Sequence, residues 1–142
     1  MDLRSLFVYG SLRRGFRLHY HLTLLGAQFI ADAKVAAELM DLGPYTAARA
    51  TERPGKWVKG EIFRLRRPGT DLRILDEVEG YHPGAPGGKQ FVRAEVTAVL
   101  CNGARRNAWI YWLGVKNRPA RRIASGDYAA WMARKTLGGT NG

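Results

Sequence analysis

The strongest constraint on the fold comes from residues 29–39, where apolar or small side chains occupy every second position. These are Phe29, Ala31, Ala33, Val35, Ala37 and Leu39, and the residues between them are mainly polar or small. Successive side chains of a strand point to opposite faces of the sheet, so a period of two places one set on a single face. The segment therefore predicts a long β-strand that is buried on one side.

Shorter β-patterns lie on both sides of this strand, at residues 3–9, 57–65, 90–100 and 107–113. Gly60 interrupts the second of them, which indicates a β-bulge or a close approach of another backbone. Asn102 and Gly103 connect the last two, and an Asn-Gly pair between two β-patterns is the strongest short hairpin signal. We therefore expect these two segments to pair as an antiparallel hairpin.

Three further segments carry apolar residues at helical spacing, at residues 17–25, 71–79 and 125–137. Gly26 and Gly80 follow the first two and are natural helix stops, because glycine readily adopts the left-handed conformation that ends many helices. Ser125 or Asp127 could cap the third helix, since both side chains accept hydrogen bonds from the free N–H groups of a first turn.

This order of elements predicts an α+β fold, namely a small mixed β-barrel of about six strands with flanking short helices. Closing the sheet into a barrel removes exposed strand edges, which otherwise pair with other chains. The length of 142 residues is that of one average domain. We expect a single domain over residues 1–137 and a flexible C-terminal tail over residues 138–142.

The composition excludes several classes of protein. With 46% hydrophobic and 25% charged residues, the chain is neither disordered nor fibrous. No apolar run approaches the ~20 residues of a membrane-spanning helix, and the N-terminal residues lack the pattern of a signal peptide. Cys101 is the single cysteine, and with three histidines it makes a poor set of metal ligands. We expect a cytoplasmic protein without a metal or a membrane partner.

The formal net charge of +11 raises the hypothesis of nucleic-acid binding. A basic domain with aromatic residues could neutralise phosphates and stack against bases. Many of the basic residues, however, form arginine pairs that are spread along the chain, mostly in or beside predicted turns, at positions 13–14, 66–67, 105–106 and 121–122. A solvated surface is the simpler explanation for such a distribution, so we do not expect nucleic acid as a partner.

The first candidate site follows the first predicted strand, where Gly10 and Gly15 surround Ser11. A loop of this kind can expose a concave run of backbone N–H groups, which binds a carboxylate or a developing oxyanion. Gly10 would permit the backbone angles that this shape needs. An ordinary turn is the structural alternative, and the pattern of a phosphate-binding loop is absent.

The second candidate site is the segment 75–81, Leu-Asp-Glu-Val-Glu-Gly-Tyr. Asp76 and Glu79 are three residues apart and lie on one helical face, whereas Glu77 points elsewhere. Glu79 would face the negative end of the helix dipole, and burial near Tyr81 would raise its pKa further. A glutamate with a raised pKa is a usable general base, while a solvated acidic helix end is the structural alternative.

Together, the segments Tyr9-Gly10-Ser11-Leu12 and 75–81 resemble the γ-glutamylcyclotransferase-like family, which includes small AIG2-like members. Later segments agree in order and spacing, at residues 58–63, 91–96, 108–111 and 123–128. The resemblance extends from about Ser5 to Trp131. It implies a mixed β-barrel with a cavity at one end, no cofactor, and cyclisation of a γ-glutamyl amide to 5-oxoproline with release of the amine.

The resemblance also assigns roles to individual residues. It places the general base on Glu79 rather than on Glu77, and it implies substrate binding by Tyr9, Gly10, Ser11, Leu12, Tyr81 and Tyr111. The loop amides could stabilise the oxyanion or hold the substrate's α-carboxylate, and the sequence leaves both roles open. Phe91 stands where many relatives carry a tyrosine, so a hydroxyl group is missing there.

The leading functional hypothesis is therefore a cofactor-free enzyme that acts on a small γ-glutamyl amine or peptide. The alternative keeps the same fold and pocket but makes the protein a non-catalytic binding module for a small carboxylate or amino acid. An assay for 5-oxoproline separates the two, because only the enzyme forms this product.

Overall fold

The computed structural model describes residues 3–43, 45–80, 91–114 and 120–139. The strands are β1 (Ser5–Val8), β2 (Gln28–Ala36), β3 (Glu38–Asp41), β4 (Thr46–Arg49), β5 (Trp57–Arg64), β6 (Phe91–Leu100), β7 (Arg105–Leu113) and β8 (Arg121–Arg122). The helices are α1 (Tyr20–Leu24), α2 (Pro68–Glu79) and α3 (Tyr128–Gly139). In the described ranges, no helix has the length and apolar character that crossing a membrane would require.

Five of the strands close into a barrel, as the sequence predicts. They are hydrogen-bonded in the order β1, β5, β2, β6, β7, and a parallel contact between Leu6 of β1 and Trp109 of β7 closes the ring. The remaining three strands extend from β7 in the order β4, β3, β8. The described part of the chain thus has eight strands rather than about six, and the α+β barrel fold is confirmed.

The segment 29–39 forms two strands instead of the single long strand that its alternation predicts. The change of strand occurs at Ala37, whose N–H donates to the carbonyl of Lys56 at 3.2 Å. The preceding strand β2 pairs with β5 and β6, whereas the following strand β3 pairs with β4 and β8. Val35, Ala37 and Leu39 are all buried. The alternation therefore continues through the break, which explains why the pattern does not reveal it.

The structure also adds two strands that the sequence does not predict. β4 contains Ala47 and Ala48, which are fully buried, and alanine has a low strand propensity. β8 consists of Arg121 and Arg122 alone, which pair with Asp41 and Met40 of β3. Strands this short owe their formation to neighbouring strands rather than to their own residue pattern.

Gly60 allows a close approach of two strands, one of the two alternatives that the sequence suggests. A Cβ atom at this position would collide with the carbonyl oxygen of Val8 and with the ring of Phe7. The bulge itself lies in β2, between Phe29 and Ala31. β1 and β5 can therefore pack tightly at the point where the chain leaves β1 for the loop that follows.

Two helices end at the predicted glycines, and the third begins at one of the two predicted caps. Gly80 is left-handed, with φ +70°, and its N–H closes the last turn of α2. Gly26 has φ +70° as well and lies just after α1. Asp127, not Ser125, caps α3, because its Oδ1 accepts a hydrogen bond from Ala129 N at 3.0 Å. α3 continues to Gly139, two residues into the predicted tail.

Helix α2 is held against the barrel by its apolar face. Leu72 and Leu75 are buried in a cluster that includes Leu6, Leu65 and Tyr111. Burying one leucine side chain stabilises a fold by about 1.5–3 kcal/mol, so this contact fixes the orientation of the helix. Because the helix is held in this orientation, its last turn, which contains Asp76 and Glu79, lies near the ends of β1 and β7.

Candidate active site

A cavity of about 460 Å³ lies where β1 ends, β6 begins and α2 ends. The structure brings most of the predicted site residues together around it, namely Tyr9, Gly10, Ser11, Leu12, Glu79 and Tyr111. Tyr81, the remaining predicted site residue, lies outside the described residues. The loop after β1 forms one side of the cavity and α3 contributes another, through Tyr128, Trp131, Met132 and Lys135.

Glu79 is a partly buried carboxylate in this cavity. Burial raises its pKa from the ordinary value of 4.5 to about 7, in the direction that the sequence predicts. No cation forms an ion pair with Glu79 in the part of the chain that the structure describes. Near neutral pH, the side chain can therefore exist with and without a proton, which is the property a general base needs.

Asp76 lies one helical turn before Glu79 and has a different environment. Its Oδ1 accepts hydrogen bonds from Arg93 Nε and from the Tyr111 hydroxyl, both at 2.8 Å, and its Oδ2 lies 3.3 Å from Arg93 Nη2. Asp76 is therefore held by a two-point ion pair and a phenol. The two carboxylates of this helical face therefore differ in their environment. Asp76 is bound by protein groups, whereas Glu79 lines the cavity.

Tyr9 and Tyr111 line the cavity, and their hydroxyl groups bind protein atoms. The Tyr9 hydroxyl donates to the carbonyl of Tyr111 at 2.6 Å and accepts from Ala48 N at 2.9 Å. Tyr9 thus connects the end of β1 to β7 and β4. Burial strongly raises the pKa of both phenols, and the nearby Glu79 carboxylate raises it further. Both tyrosines therefore stay neutral near Glu79.

The loop after β1 is built by turns that leave some of its amides free. Arg13 N donates to Gly10 O at 3.0 Å, and Leu18 N donates to Ser11 O at 2.9 Å. Among the described residues, none accepts a hydrogen bond from the backbone N–H of Ser11 or Leu12. Both residues line the cavity. The loop therefore offers two unused donors beside Glu79, as a binding site for an anionic group requires.

The expectation that Gly10 needs special backbone angles is wrong. Gly15, at the far side of the loop, has φ +87°, whereas Gly10 is not left-handed. A Cβ atom at Gly10 would meet only Thr46 Oγ1, at 3.7 Å, which is an ordinary contact. Glycine at position 10 therefore leaves room in the cavity, and the turn conformation does not require it.

Comparison with known proteins places this architecture in a family. Residues 6–130 match the family model described as "Gamma-glutamyl cyclotransferase, AIG2-like". The chain belongs to this family. No match was found among curated proteins.

Solved structures share the fold of this chain. YkqA from Bacillus subtilis is 20% identical with a TM-score of 0.71, over 95% of this chain and 43% of YkqA. The uncharacterized protein PH0828 from Pyrococcus horikoshii is 21% identical with a TM-score of 0.68, over 94% and 97% of the two chains. An AIG2-like protein from Mus musculus is 19% identical with a TM-score of 0.64, over 80% and 79%. The chain thus spans less than half of YkqA, and these similarities concern the fold.

In this member of the family, an ion pair joins the loop after β1 to the start of helix α3. Arg13 Nη1 lies 2.9 Å from Asp127 Oδ1, the atom that also caps α3. Burial alone would raise the pKa of Asp127, but Arg13 and the helix amides outweigh it and hold the pKa below its ordinary value. Arg14 anchors the loop a second time, through Glu61. Sequence reasoning misses both pairs because the partners are far apart in the chain.

Several residues of the cavity were not identified as site residues from the sequence, among them Arg17, Tyr128 and Lys135. Arg17 and Lys135 contribute positive charge, and Tyr128 has a pKa that burial raises and Arg17 lowers. Phe91 is buried in the wall, with its ring centroid 5.6 Å from that of Tyr45. The lack of a hydroxyl at Phe91 therefore leaves an apolar surface in this part of the cavity.

Proposed function

We propose that this protein is a γ-glutamyl cyclotransferase, which converts a γ-glutamyl amine or peptide to 5-oxoproline and a free amine. One observation carries the proposal: Glu79, with a pKa of about 7, faces a cavity beside the free N–H groups of Ser11 and Leu12. Membership of the γ-glutamyl cyclotransferase, AIG2-like family supports it. The arrangement combines a base with donors for an anion, and both are needed for acyl transfer.

The proposed reaction begins with a proton transfer. The substrate's α-amine is protonated near neutral pH and cannot attack until Glu79 removes a proton. The amine nitrogen then forms a bond to the γ-carbonyl carbon, which closes a five-membered ring and places negative charge on the carbonyl oxygen. As the bond from this carbon to the departing nitrogen breaks, Glu79 returns its proton to that nitrogen, which also receives the second proton that the ring nitrogen must lose. The amine therefore leaves as an ammonium ion. The products are 5-oxoproline and the amine, and Glu79 is again ionised.

The remaining task of the site is to hold the substrate in a folded conformation. The attack is intramolecular, so correct orientation of the two reacting groups removes much of the barrier. The substrate brings an α-carboxylate and develops an oxyanion, and both groups accept hydrogen bonds. The amides of Ser11 and Leu12 and the guanidinium of Arg17 are among the donors that this cavity offers them.

The direct test is an assay of 5-oxoproline formation from a panel of γ-glutamyl amines and peptides. Release of 5-oxoproline together with an equal amount of the amine supports the proposal. Tight binding of panel members without product would support the alternative, a binding module for a small carboxylate or amino acid. The panel must include neutral, cationic and anionic amines, because the proposal does not depend on which amine is released.

Ser11→Ala should retain a substantial part of the activity. The substitution removes the hydroxyl group but leaves the backbone N–H, which is the group that we propose binds an anion. The measurement is kcat/KM for 5-oxoproline release from the best substrate of the panel. A Ser11→Ala protein as inactive as a Glu79 variant would show that the hydroxyl group is essential and that the role assigned to the backbone is wrong.

The activity should depend on pH through Glu79. Because the pKa of Glu79 is about 7, kcat/KM should decrease below neutral pH as this carboxylate becomes protonated. The measurement is a pH profile of kcat/KM for the wild-type protein and for Glu79→Gln. The acidic limb should be absent from any residual activity of Glu79→Gln. A wild-type profile that is flat down to about pH 5 would remove Glu79 from the role of base.

The same raised pKa should make stability depend on pH in the opposite direction. The folded protein keeps Glu79 protonated up to about pH 7, whereas the unfolded chain releases this proton near pH 4.5. The folded state therefore binds more protons in this window, and the free energy of unfolding should decrease as the pH rises through it. Urea unfolding of wild type and Glu79→Gln measures the effect. A difference between the two proteins that stays constant across the window would contradict it.

A further inference from the structure

A second cavity adjoins the one that contains Glu79. It has a volume of about 560 Å³ and is lined by residues of β8, of the segment that follows it, and of α3. Trp131 and Lys135 line both cavities, so the two spaces meet at these side chains. We call the polar wall of the second cavity the basic groove, formed by Arg121, Arg122, Ser125, Arg134 and Lys135.

Most of the positive charge in the basic groove is not neutralised by protein carboxylates. Arg122 Nη1 lies 3.7 Å from Glu38 Oε1, so its charge is partly balanced. Arg121, Arg134 and Lys135 form no ion pair within the described ranges. The groove is therefore a concave surface with several cations that are available to an anion.

The carboxylates of the protein do little to balance these cations. Asp41 is the single carboxylate among the described residues that line the second cavity, and its Oδ1 accepts a hydrogen bond from Gly43 N at 2.8 Å. Helix α3 contains no acidic residue between Tyr128 and Gly139, so it lacks the glutamates that usually balance lysine and arginine on an exposed helix. The local charge is thus positive on both sides of the groove.

The helix dipole does not account for this arrangement. Cations are favoured in the last turn of a helix, where its negative end lies, and the effect decays within that turn. Arg134 and Lys135 precede the last turn of α3, which has no basic residue. In addition, Arg121 and Arg122 come from a different element, β8, and face the same space.

We propose that the basic groove binds an anionic group on the amine part of the substrate, which is the part that leaves when the ring closes. The inference rests on the proposed function, and it names the substrate class as γ-glutamyl compounds whose amine carries a carboxylate or another anionic oxygen group. The γ-glutamyl part occupies the cavity beside Glu79. The amine part extends along Trp131 and Lys135 into the groove, where the cations hold its anionic end.

The location of Trp131 and Lys135 supports this path for the substrate. The Lys135 ammonium lies 4.7 Å from the centroid of the Trp131 ring, so the aromatic face and the charge are presented together where the cavities meet. A substrate with an apolar or extended linker can contact the indole and still reach the charges beyond it. These cations are exposed, so each contributes little alone, and the expected effect comes from several acting together.

The test compares matched substrates that differ only in charge. γ-Glutamyl peptides that end in one, two or three glycines are each prepared as the free carboxylate and as the amide, and γ-glutamyl phosphoethanolamine is compared with γ-glutamyl ethanolamine. In at least one pair, kcat/KM should be about tenfold higher for the anionic member. The preference should weaken as salt is added, because exposed charges are screened. The two series also separate a carboxylate from a phosphate.

Variants show whether the groove causes the preference. Arg121→Glu/Arg134→Glu should bring the ratio between the anionic and the neutral member to about one or below it. Arg105→Glu/Arg106→Glu changes the net charge equally, but at the opposite end of β7 from Tyr111, and should keep the wild-type ratio. If both double variants change the ratio equally, the preference reflects overall charge, and the basic groove is not a substrate site.

Binding to Glu79→Gln tests the groove independently of catalysis. This variant lacks the proposed base, so the dissociation constants of the paired compounds can be measured by calorimetry without turnover. Tighter binding of the anionic members supports the groove even if no 5-oxoproline is formed by the wild type, in which case only the proposed function fails. Equal binding of both members in every pair would overturn the inference, whether or not the wild type is active.

Discussion

Glu79→Gln should lower kcat/KM for 5-oxoproline formation by at least ~100-fold, the low end of what a general base contributes. Glutamine has nearly the same size and can still accept a hydrogen bond through its amide oxygen. It cannot take the proton of the substrate's ammonium group near neutral pH. The fold should survive, because Glu79 forms no ion pair in the described part of the structure and because removal of a partly buried carboxylate relieves a desolvation penalty.

Glu77→Gln is the matched control for this prediction. It makes the same chemical change two residues earlier on the same helix, at an exposed position that is not part of the described cavity wall. Its kcat/KM should stay close to that of the wild type. Circular dichroism and urea unfolding of both variants establish that they are folded. An equal loss of activity in both would mean that the acidic end of α2 acts structurally and that Glu79 is not the base.

The parts of the site that could be predicted from sequence depend on local interactions. Gly80 ends α2 because a left-handed residue closes the helix, and this places Glu79 in the final turn. The pair Asn102-Gly103 forms the turn between β6 and β7, with Gly103 at φ +87°. Each of these features is determined by a few neighbouring residues, so a sequence pattern is sufficient to find it.

The features that were missed depend on contacts between distant parts of the chain. Arg13 and Asp127 are separated by 114 positions, and nothing near either residue identifies the other as its partner. β4 forms because β3 and β7 provide edges on both sides of it, although its own alanines do not favour a strand. The basic groove also combines β8 with α3, so arginines that look like scattered surface charges in the sequence share one cavity wall.

Gly10 shows how a correct location can be paired with an incorrect reason. The loop after β1 does line the cavity, as its sequence predicts. The prediction assumed that glycine was needed for its backbone angles, yet the left-handed glycine of this loop is Gly15. Sequence shows that a glycine is present, but the local φ angle and the space around its Cα decide what the glycine does. At Gly10, a Cβ atom would lie 3.7 Å from Thr46 Oγ1, which is an ordinary contact, so neither the φ angle nor close packing requires glycine there.

Asp76→Ala should have the largest effect on stability among the site variants. Asp76 is buried, and its carboxylate is bound by Arg93 at two points and by the Tyr111 hydroxyl. Removing one partner of a buried ion pair typically costs 3–5 kcal/mol when both partners are fully buried. Because the side chain of Arg93 is 21% exposed, water can solvate it partly after the substitution. We therefore expect a decrease of about 3 kcal/mol in the free energy of unfolding.

Asp71→Ala separates this specific effect from the general effect of removing a buried aspartate from α2. Asp71 is also buried on this helix, but its Oδ2 accepts one hydrogen bond, from Arg67 N at the helix start. Loss of such a cap should cost about 1 kcal/mol and leave kcat unchanged. Asp76→Ala should lower kcat as well, because Tyr111 and the end of α2 both lose their anchor beside Glu79. If urea unfolding shows the same destabilisation for both variants, the Asp76, Arg93 and Tyr111 network does not hold this end of the cavity together.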